Sequence, residues 1–441
     1  MKKSILLCAI LLSFTNLIGQ QYYMTSPQGN GAGTTGGGSA TPTTVSTYSA
    51  LKTALTSTSS AVILVSGTID FSSSGYIKAV INNKTLIGLP GSKFTNTNQS
   101  TSGILYLSSG STNVIFRNLL FEGPGAWDNN GNDNLTADGC TKLWVDHCEF
   151  QDGEDGNFDN KGNTDNVTIS WCKFTYLKAP RPHGSGTTDD HRFSGLVGSS
   201  GTDAPADGHY DITFQNCYWA TGCKERMPRA RNATLHILNC YYNSSVCNVA
   251  MGIGGGTNNS SCYVENCDFS SIAASAVYKS YDGTDAGSET LTFSGCLNGA
   301  TDVGTVTKPT YAYTVFAATD VASVVGNPTC GAGATLQVTS AGVISTSCIT
   351  TSTPLITAPI SNITCYPTLI DKTLNIDFAN VSNGITSIDI YSINGEKVFS
   401  HSQSITSYDK IELNLSNLSS GVYICNIKNN NLITKQKFIK R

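Results

Sequence analysis

The sequence predicts an all-β protein in which a parallel β-helix, or solenoid, is followed by a small β-sandwich. Three observations lead to this prediction: seven octapeptides repeat without gaps, only 13% of the 441 residues are charged, and the composition changes near residue 350. Thr, Ser, Gly and Asn are abundant, whereas the long Leu/Glu/Lys/Ala stretches of helical bundles are missing. Apolar residues are also too regularly placed for a disordered chain.

The repeat is the strongest of these observations. Its third position is apolar in every copy, its sixth is Cys six times, and its eighth is aromatic six times. Equivalent residues stacked about 4.8 Å apart on successive coils of a β-helix would turn these columns into interior ladders. A propeller needs several strands and longer spacing per repeat, and a sandwich would not keep seven repeats in register. The octapeptides are 114–121 (VIFRNLLF), 143–150 (LWVDHCEF), 167–174 (VTISWCKF), 212–219 (ITFQNCYW), 235–242 (LHILNCYY), 262–269 (CYVENCDF) and 291–298 (LTFSGCLN).

Two further columns can be interpreted physically. The fifth position is often Asn, whose stacked amides can hydrogen-bond in the turns between coils. Side chains in register on adjacent coils point the same way, which is poor geometry for disulfides, so the Cys column is predicted to be a buried stack of thiols. Disulfides are expected instead among Cys140, Cys223, Cys247, Cys262, Cys330 and Cys348. Paired CxxC motifs of a zinc site are missing.

The elements that precede and interrupt the repeat are also predictable. Residues 1–19 have the pattern of a signal peptide, with Lys2 and Lys3 before an apolar run much shorter than a membrane span. A secreted protein without a membrane span is therefore expected. The segment 47–55 has the pattern of a short amphipathic helix that could cap the solenoid, which is assigned to residues 20–350. Residues 179–207, rich in Pro and Gly, predict an insertion that leaves the solenoid as a loop.

The C-terminal part of the chain has a different composition and strand pattern. Residues 351–364 have the composition of a linker, and residues 365–441 contain short alternating strands typical of a β-sandwich. Three landmarks follow in order, with a basic end after them: Tyr366-Pro367-Thr368, residues 390–395 (IYSING) and residues 418–424 (LSSGVYI). They resemble the C-terminal sorting domain of proteins exported by the type IX secretion system of Bacteroidetes. The resemblance implies the type IX secretion machinery as a partner and an extracellular or cell-surface location. An ordinary spacer or carbohydrate-binding module is the alternative.

Net charge excludes one class of partner and makes the remaining charges informative. Lys and Arg number 27 against 31 Asp and Glu, so no basic field exists to bind nucleic acid. The charges cluster in loops between the octapeptides. If the coils stack in register, these residues lie on one side over roughly 15–20 Å, the length of a short oligosaccharide. They are Asp133, Asp155, Asp159, Lys178, Arg226, Arg229 and Arg231.

The chemistry of these charges suggests a metal and an acidic polymer. Three carboxylates without His or Cys favour Ca²⁺ over zinc, although a solvated acidic loop would have the same composition. The segment 226–231 is cationic and could be an ordinary surface stretch. Cations beside a metal-binding acidic cluster instead suggest an anionic polymer held by both the metal and Arg.

Six motifs occur in a fixed order over about residues 40–320, and together they resemble the pectate lyases of polysaccharide lyase family 1. The resemblance implies a right-handed parallel β-helix that cleaves polygalacturonate, the unesterified form of pectin, by β-elimination. It also assigns the triplet Trp144, Asp146 and His147 a structural role. The motifs are NVIFRN (113–118), LWVDH (143–147), DGNFDNKG (155–162), VTISW (167–171), GLVGSS (195–200) and RMPRAR (226–231).

The resemblance also implies individual roles. Asp133, Asp155 and Asp159 would ligate Ca²⁺, and Gly131 stands where the family often has a further acidic ligand. Arg226 would be the base that removes the C5 proton to give a 4,5-unsaturated end. Arg231 would bind a substrate carboxylate. Lys178 is the best match to the substrate-binding lysine of the family, with Arg192 as its rival.

Two other functions remain open from sequence alone. A pectin lyase would act on methyl-esterified substrate, although carboxylate ligands for a metal favour free uronates. A non-catalytic β-helix adhesin or polysaccharide-binding protein would release no unsaturated product. A hydrolase would need paired carboxylates flanking the bond, and the neighbouring Arg cluster argues against it. A monomer is expected.

Overall fold

The structure is a computed structural model that describes residues 22–127, 131–181, 190–281, 286–348, 363–378, 383–406, 409–429 and 432–441. The chain divides into two compact units, and the larger is Gln20–Thr350. The predicted signal peptide, residues 1–19, lies outside the described residues, as does most of the predicted linker, residues 351–362. Within the described residues, no helix combines the length and the apolar character that a membrane crossing requires.

Three parallel sheets run along the larger unit, and each coil of the chain contributes a strand to them in turn. The ten-stranded sheet contains Thr43–Val45, Ala61–Val65, Asn82–Gly88, Thr112–Arg117, Thr141–Asp146, Asp165–Ser170, Tyr210–Gln215, Ala233–Leu238, Ser260–Glu265 and Glu289–Ser294. The eight-stranded sheet contains Ile77–Ala79, Leu105–Leu107, Leu135–Asp138, Phe158–Lys161, Leu196–Val197, Arg229–Ala230, Met251–Ile253 and Tyr278–Ser280. The seven-stranded sheet contains Thr68–Asp70, Lys93–Thr95, Leu120–Glu122, Glu149–Gln151, Lys173–Thr175, Tyr218–Trp219 and Tyr241–Tyr242.

The octapeptides pair in the predicted register. Leu143 pairs with Val114 on one side and with Val167 on the other, so the first positions of three repeats align. Phe150 likewise pairs with Phe121 and Phe174 at the eighth position. The predicted solenoid is therefore confirmed.

An aromatic ladder fills the interior along the eighth column of the repeat. Consecutive rings are stacked, with centroids 4.3 to 5.6 Å apart. This spacing suits offset aromatic stacking and adds to the free energy gained from burial of the rings. The ladder consists of Phe121, Phe150, Phe174, Trp219, Tyr242 and Phe269.

The Cys column is a buried stack of free thiols, as predicted. Its members are Cys148, Cys172, Cys217, Cys240 and Cys267, with Cys296 half-buried at the last coil. The disulfide prediction is correct for one pair, Cys330 and Cys348. The other four cysteines of the predicted set have free thiols, because three of them also face the coil interior and are fully buried there.

The fifth column has a backbone role that the sequence pattern only partly revealed. Every residue in it has a left-handed backbone, with φ between 48° and 67°. Asn tolerates this conformation better than other residues with side chains. Its amide also bonds outward, as when Asn118 donates to the carbonyls of Gly88 and Leu336 at 2.9 and 3.0 Å. The column is Asn118, His147, Trp171, Asn216, Asn239, Asn266 and Gly295.

The first coil is closed by the predicted amphipathic helix, Tyr48–Thr56. The Thr47 hydroxyl caps its start by accepting from the amide of Ala50 at 3.3 Å. Leu51 and Leu55 are fully buried in the core of the solenoid. Further elements of this unit are the helix Ala318–Val325, the 3-10 turns Gly29–Gly31 and Ala274–Ala276, and the antiparallel pair Gln337–Val338 and Ile344–Ser345.

The predicted insertion, residues 179–207, is not wholly a loop. Leu196–Val197 within it is a strand of the eight-stranded sheet and pairs with Phe158–Lys161 and Arg229–Ala230. A two-residue strand carries no octapeptide pattern, which is why the sequence assigned it to the insertion. Residues 182–189 lie outside the described residues.

The smaller unit is a sandwich of two sheets. The three-stranded sheet contains Ile363–Tyr366, Thr373–Phe378 and Lys410–Asn414. The five-stranded sheet contains Leu369–Ile370, Leu432–Lys440, Gly421–Asn429, Gly384–Ser392 and Lys397–Ile405. Buried residues from both sheets, such as Ile376 and Ile390, form one core.

Candidate active site

The predicted acidic residues and the Arg motif lie in or beside strands of the eight-stranded sheet. Asp133 precedes the strand Leu135–Asp138, and Asp159 lies in the next strand, where it is the residue after Phe158. Thr136 pairs with Asp159, and Leu196 pairs with Arg229, so the acidic residues and the Arg motif lie along one sheet with the strand Leu196–Val197 between them.

Asp133, Asp155 and Asp159 form an acidic cluster in which two carboxylates are buried. Asp133 and Asp159 are only 5% and 6% exposed, whereas the side chain of Asp155 is 39% exposed. The hydroxyl of Thr136 donates to Asp133 Oδ2 at 3.0 Å, and the amide of Leu196 donates to Asp159 Oδ1 at 2.9 Å. The buried carboxylates of Asp133 and Asp159 therefore lie near Asp155, and few hydrogen bonds compensate their negative charge.

Crowding and burial shift the protonation of both buried acids. Burial, together with repulsion from Asp159 and Asp155, holds the pKa of Asp133 well above its ordinary value. Burial and Asp155 raise the pKa of Asp159 to about 6, while Arg226 and Lys161 act in the opposite direction. A cation shared by the three carboxylates would relieve this repulsion.

The donor set of the acidic cluster fits a hard divalent cation. All its side-chain donors are carboxylate oxygens, the ligands that Ca²⁺ prefers. Gly156 explains how the chain passes so close to them, because a β-carbon at this position would lie 2.6 Å from Asp133 Oδ1. Any side chain directly after Asp155 would therefore force the Asp133 carboxylate to move.

The Arg motif lines a cleft of about 260 Å³, whose wall includes Arg226, Arg229, Arg231, Phe193 and Tyr281. Arg226 has a left-handed backbone with φ 61°, and its guanidinium carbon lies 4.4 Å from the centroid of the Phe193 ring. Residues other than Gly rarely hold this conformation, and such exceptions cluster at functional sites.

The other two arginines of the motif are tied to backbone carbonyls. Arg229 is buried, and its Nη1 donates to the carbonyls of Ala230 and Gly254 at 2.7 and 2.9 Å. Burial, and then the charge of Arg231, lower the pKa of Arg229 to about 10. Arg231 Nη1 donates to the carbonyl of Gly198 at 2.7 Å. The Arg229 guanidinium is therefore occupied by hydrogen bonds that stabilise the cleft wall.

The two rival substrate cations have different partners. Lys178 Nζ donates to the carbonyl of Gly123 at 2.6 Å and lies 3.3 Å from Glu122 Oε1, with 37% of its side chain exposed. Arg192 makes two bonds of 2.6 Å to the carboxylate of Asp190 and has only 17% of its side chain exposed. A bidentate pair of this kind occupies the face of the guanidinium that would otherwise bind a uronate. Lys178 is the better placed of the two to meet a ligand.

Comparison with known proteins now identifies the family. Residues 21–352 match the family model described as pectate lyase, which is well over half of the chain. The chain belongs to the pectate lyase family. Residues 364–441 match the model described as a secretion system C-terminal sorting domain, which implies that this pectate lyase family member is exported.

Individual relatives agree with the family model. A pectate trisaccharide-lyase from Thermotoga sp. (strain RQ2) is 34% identical over 188 residues, which are 41% of this chain and 45% of that protein. The chain thus spans less than half the length of that relative. Pectate lyase B of Colletotrichum gloeosporioides is 31% identical over 305 residues, covering 68% of this chain and 83% of that protein.

The fold is shared with solved pectate lyases. A pectate lyase from Bacillus sp. N165, solved in complex with trigalacturonate, superposes with a TM-score of 0.53 at 21% identity. The match covers 70% of this chain and 99% of that one. This likeness supports the β-helix assignment.

The WxDH triplet of this pectate lyase family member is structural, as predicted. It lies on the ten-stranded sheet and not on the eight-stranded one. His147 is fully buried, with its Nδ1 3.0 Å from Asp146 Oδ2 and its Nε2 2.8 Å from the carbonyl of Tyr22. Trp144 donates to Ser170, which in turn donates to Asp146 at 2.6 Å. The network fixes the N-terminal segment against the coils.

Sequence reasoning missed four residues of the site: Glu154, Lys161, Phe193 and Tyr281. Lys161 follows Asp159 by two residues on the same strand, so the alternation of a β-strand could have found it. Phe193 was hidden by its assignment to the insertion. Glu154 and Tyr281 lie in irregular segments, where no spacing rule predicts the direction of a side chain.

Proposed function

We propose that the protein is a secreted Ca²⁺-dependent pectate lyase that cleaves polygalacturonate by β-elimination. One observation carries the proposal: an oxygen-only acidic cluster and an Arg-lined cleft lie along the same sheet, with one strand between them, in a chain of this family. The name of the Thermotoga relative and the trigalacturonate bound by the Bacillus structure support uronate chains as the substrate class.

The chain's own residues would divide the work as follows. Asp133, Asp155 and Asp159 would hold Ca²⁺, which when bound neutralises a substrate carboxylate and the negative charge that develops on it. Lys178 and Arg231 would bind uronate carboxylates. Arg226, beside Phe193 in the cleft, would accept the C5 proton in its neutral form.

The elimination balances without a co-reactant. The electron pair of the C5–H bond becomes the C4=C5 double bond as the C4–O bond breaks. The departing oxygen takes a proton, so one product has a new reducing end and the other a 4,5-unsaturated end. Because free Arg stays protonated to about pH 12, an alkaline optimum is expected for this reaction.

The test follows the ultraviolet absorbance of the unsaturated product formed from polygalacturonate. We expect the absorbance to rise with added Ca²⁺ and to stop rising with a chelator. A higher rate on fully methyl-esterified pectin, indifferent to chelator, would favour a pectin lyase. No absorbing product from either polymer would support the non-catalytic adhesin instead.

The features at both ends of the chain support export from the cell. The predicted signal peptide, residues 1–19, would direct the chain across the inner membrane, and the sorting domain would then engage the type IX machinery. An extracellular or cell-surface location would expose the cleft to polymers too large to enter a cell.

Replacing Lys178 by Ala is expected to raise the KM for polygalacturonate by about tenfold, because a charge-assisted contact to a uronate contributes about 1.5–3 kcal/mol. Arg192→Ala is the matched control, and its KM should stay within about twofold because Asp190 already occupies the guanidinium. Initial rates over a range of substrate concentrations measure both. The opposite ranking of the two variants would assign the substrate cation to Arg192.

A further inference from the structure

The smaller unit contains two cysteines, Cys365 and Cys425, and they lie on different sheets of the sandwich. Cys365 is in the first strand of the three-stranded sheet, and Cys425 is in a strand of the five-stranded sheet. Their chain neighbours Tyr366 and Ile424 are exposed, so both cysteines are on the inner faces of their strands. Cys425 is fully buried in the sandwich core, and the half-buried Cys365 packs against that core. The two side chains therefore point toward each other from opposite sheets.

The two thiol groups are close enough to form a hydrogen bond with each other. Neighbouring thiols of the Cys column in the solenoid, such as those of Cys240 and Cys267, do the same. Those cysteines stack in register on parallel strands and point the same way, which is poor geometry for an S–S bond. Cys365 and Cys425 instead approach from facing sheets, the arrangement in which antibody domains hold their inter-sheet disulfide. Direction therefore distinguishes this pair from the stacked thiols.

Cys365 is the more reactive of the two thiols. It is partly exposed to solvent, whereas Cys425 is fully buried. The hydrogen bond with Cys425 lowers the pKa of Cys365 below its ordinary value, and the same bond, together with burial, raises the pKa of Cys425. The thiolate is the nucleophile in thiol–disulfide exchange, so an external disulfide would react first with Cys365.

We propose that Cys365 and Cys425 form a disulfide that joins the two sheets of the sorting domain once the chain has left the cytoplasm. The bacterial periplasm is oxidising, whereas thiols in the cytoplasm are kept reduced. The inference rests on export of the chain and goes beyond the proposed cleavage of polygalacturonate, on which it does not depend.

The oxidant is a disulfide, either a small molecule or a thiol–disulfide oxidoreductase. The Cys365 thiolate attacks one of its sulfurs, and the other sulfur leaves as a thiol. Cys425 then attacks the Cys365 sulfur of this mixed disulfide and displaces the second sulfur of the oxidant. The two protons of the cysteines pass to the departing sulfurs. Two thiols of the chain are oxidised and one disulfide is reduced to two thiols, so atoms and electrons balance.

The bond would close a loop that contains most of the sorting domain, since the domain begins just before Cys365 and ends shortly after Cys425. A disulfide stabilises a fold mainly because it restricts the unfolded chain, and more so for a long loop. The stabilisation would be absent in the cytoplasm, where the chain has yet to cross the inner membrane, and present after the crossing.

The first experiment maps the disulfides of the full chain, directed to the periplasm of a bacterial host with a host signal sequence in place of residues 1–19. The protein is denatured with a thiol-alkylating reagent, digested without reductant and analysed by mass spectrometry. We expect a linked peptide pair that contains Cys365 and Cys425, beside the pair that contains Cys330 and Cys348. The same chain kept in the cytoplasm is the control, and its Cys365 and Cys425 should both be alkylated.

The second experiment measures how fast trypsin cleaves the smaller unit of the folded full chain, read from peptides of residues 363–441. Reductant should speed this cleavage at least about tenfold in the native protein, because more of the unit is then open. It should have no effect in Cys365→Ser, or in Cys365→Ala if the serine variant does not fold. Cys247→Ser removes a half-buried thiol of the larger unit, and this matched control should behave as the native protein does.

The results can overturn the inference in two ways. Alkylation of both Cys365 and Cys425 in the periplasmic protein, or a link from either to another cysteine, would show that the bond does not form. An equal effect of reductant on the native protein and on Cys365→Ser would show that it does not stabilise the unit. Neither experiment uses polygalacturonate, so failure of this inference leaves the proposed function standing, and the reverse also holds.

Discussion

Arg226→Ala is expected to lower the kcat for polygalacturonate by about 10³-fold, with a much smaller change in KM. A positioned general base contributes typically 10²–10⁴-fold, and Arg226 lines the cleft, lies over the Phe193 ring and acts electrostatically on Asp159. Ala bears the same backbone cost as Arg at φ 61°, so the substitution adds no strain to the coil.

Initial rates from the absorbance of the unsaturated product measure the effect of Arg226→Ala. Arg192→Ala is again the control for loss of a guanidinium, because the Arg192 guanidinium is already paired with Asp190. A kcat for Arg226→Ala within tenfold of the native value would remove Arg226 as the base. So would a pH optimum below about 6 for the native enzyme.

The second large effect concerns Asp159. Asp159→Asn is expected to weaken Ca²⁺ binding by about 100-fold or more, because it removes a buried ligand charge. The same change should stabilise the metal-free protein at pH 8, where Asp159 is otherwise ionised beside Asp155 and Asp133. Because the carboxyl pKa is raised in the folded state, its contribution favours folding below about pH 4 and is lost as the pH rises through about 6. The shift corresponds to about 3 kcal/mol.

Thermal unfolding at pH 4.5 and pH 8, with and without Ca²⁺, measures this balance. The native protein should gain stability from Ca²⁺ at pH 8 and little at pH 4.5, where Asp159 is largely protonated. Asp159→Asn should unfold at a higher temperature than the native protein without metal and gain little from Ca²⁺. An equal gain from Ca²⁺ in both proteins would exclude Asp159 as a ligand.

The solenoid could be predicted because every coil needs the same type of side chain at the same position of the repeat. Phe150 must contact Phe121 and Phe174, so the aromatic column survives in the sequence and its register can be read directly. Leu196–Val197 carries too few residues for such a column, and the sequence placed it in the insertion. In the sequence, cysteines that face the coil interior look the same as cysteines that can form disulfides, because only their burial in the folded protein distinguishes the two groups.

The site was predictable only where a side chain belongs to a motif. Asp155 and Asp159 share one motif, and strand pairing brings Asp133 beside them. Phe193 and Tyr281 escaped because they reach the cleft from segments that carry no repeat pattern. The pairing of Arg192 with Asp190, which distinguishes Arg192 from Lys178, is likewise a contact that the sequence does not record.

The helix Tyr48–Thr56 affects whether copies of the chain can associate through their strand edges. A stack of parallel strands ends in a row of unpaired amides and carbonyls, and such a row can recruit another copy of the chain. With Leu51 and Leu55 buried over the first coils, the growth of the stack stops at this end. Without the helix Tyr48–Thr56, the same architecture would expose strand edges on which another copy of the chain could pair.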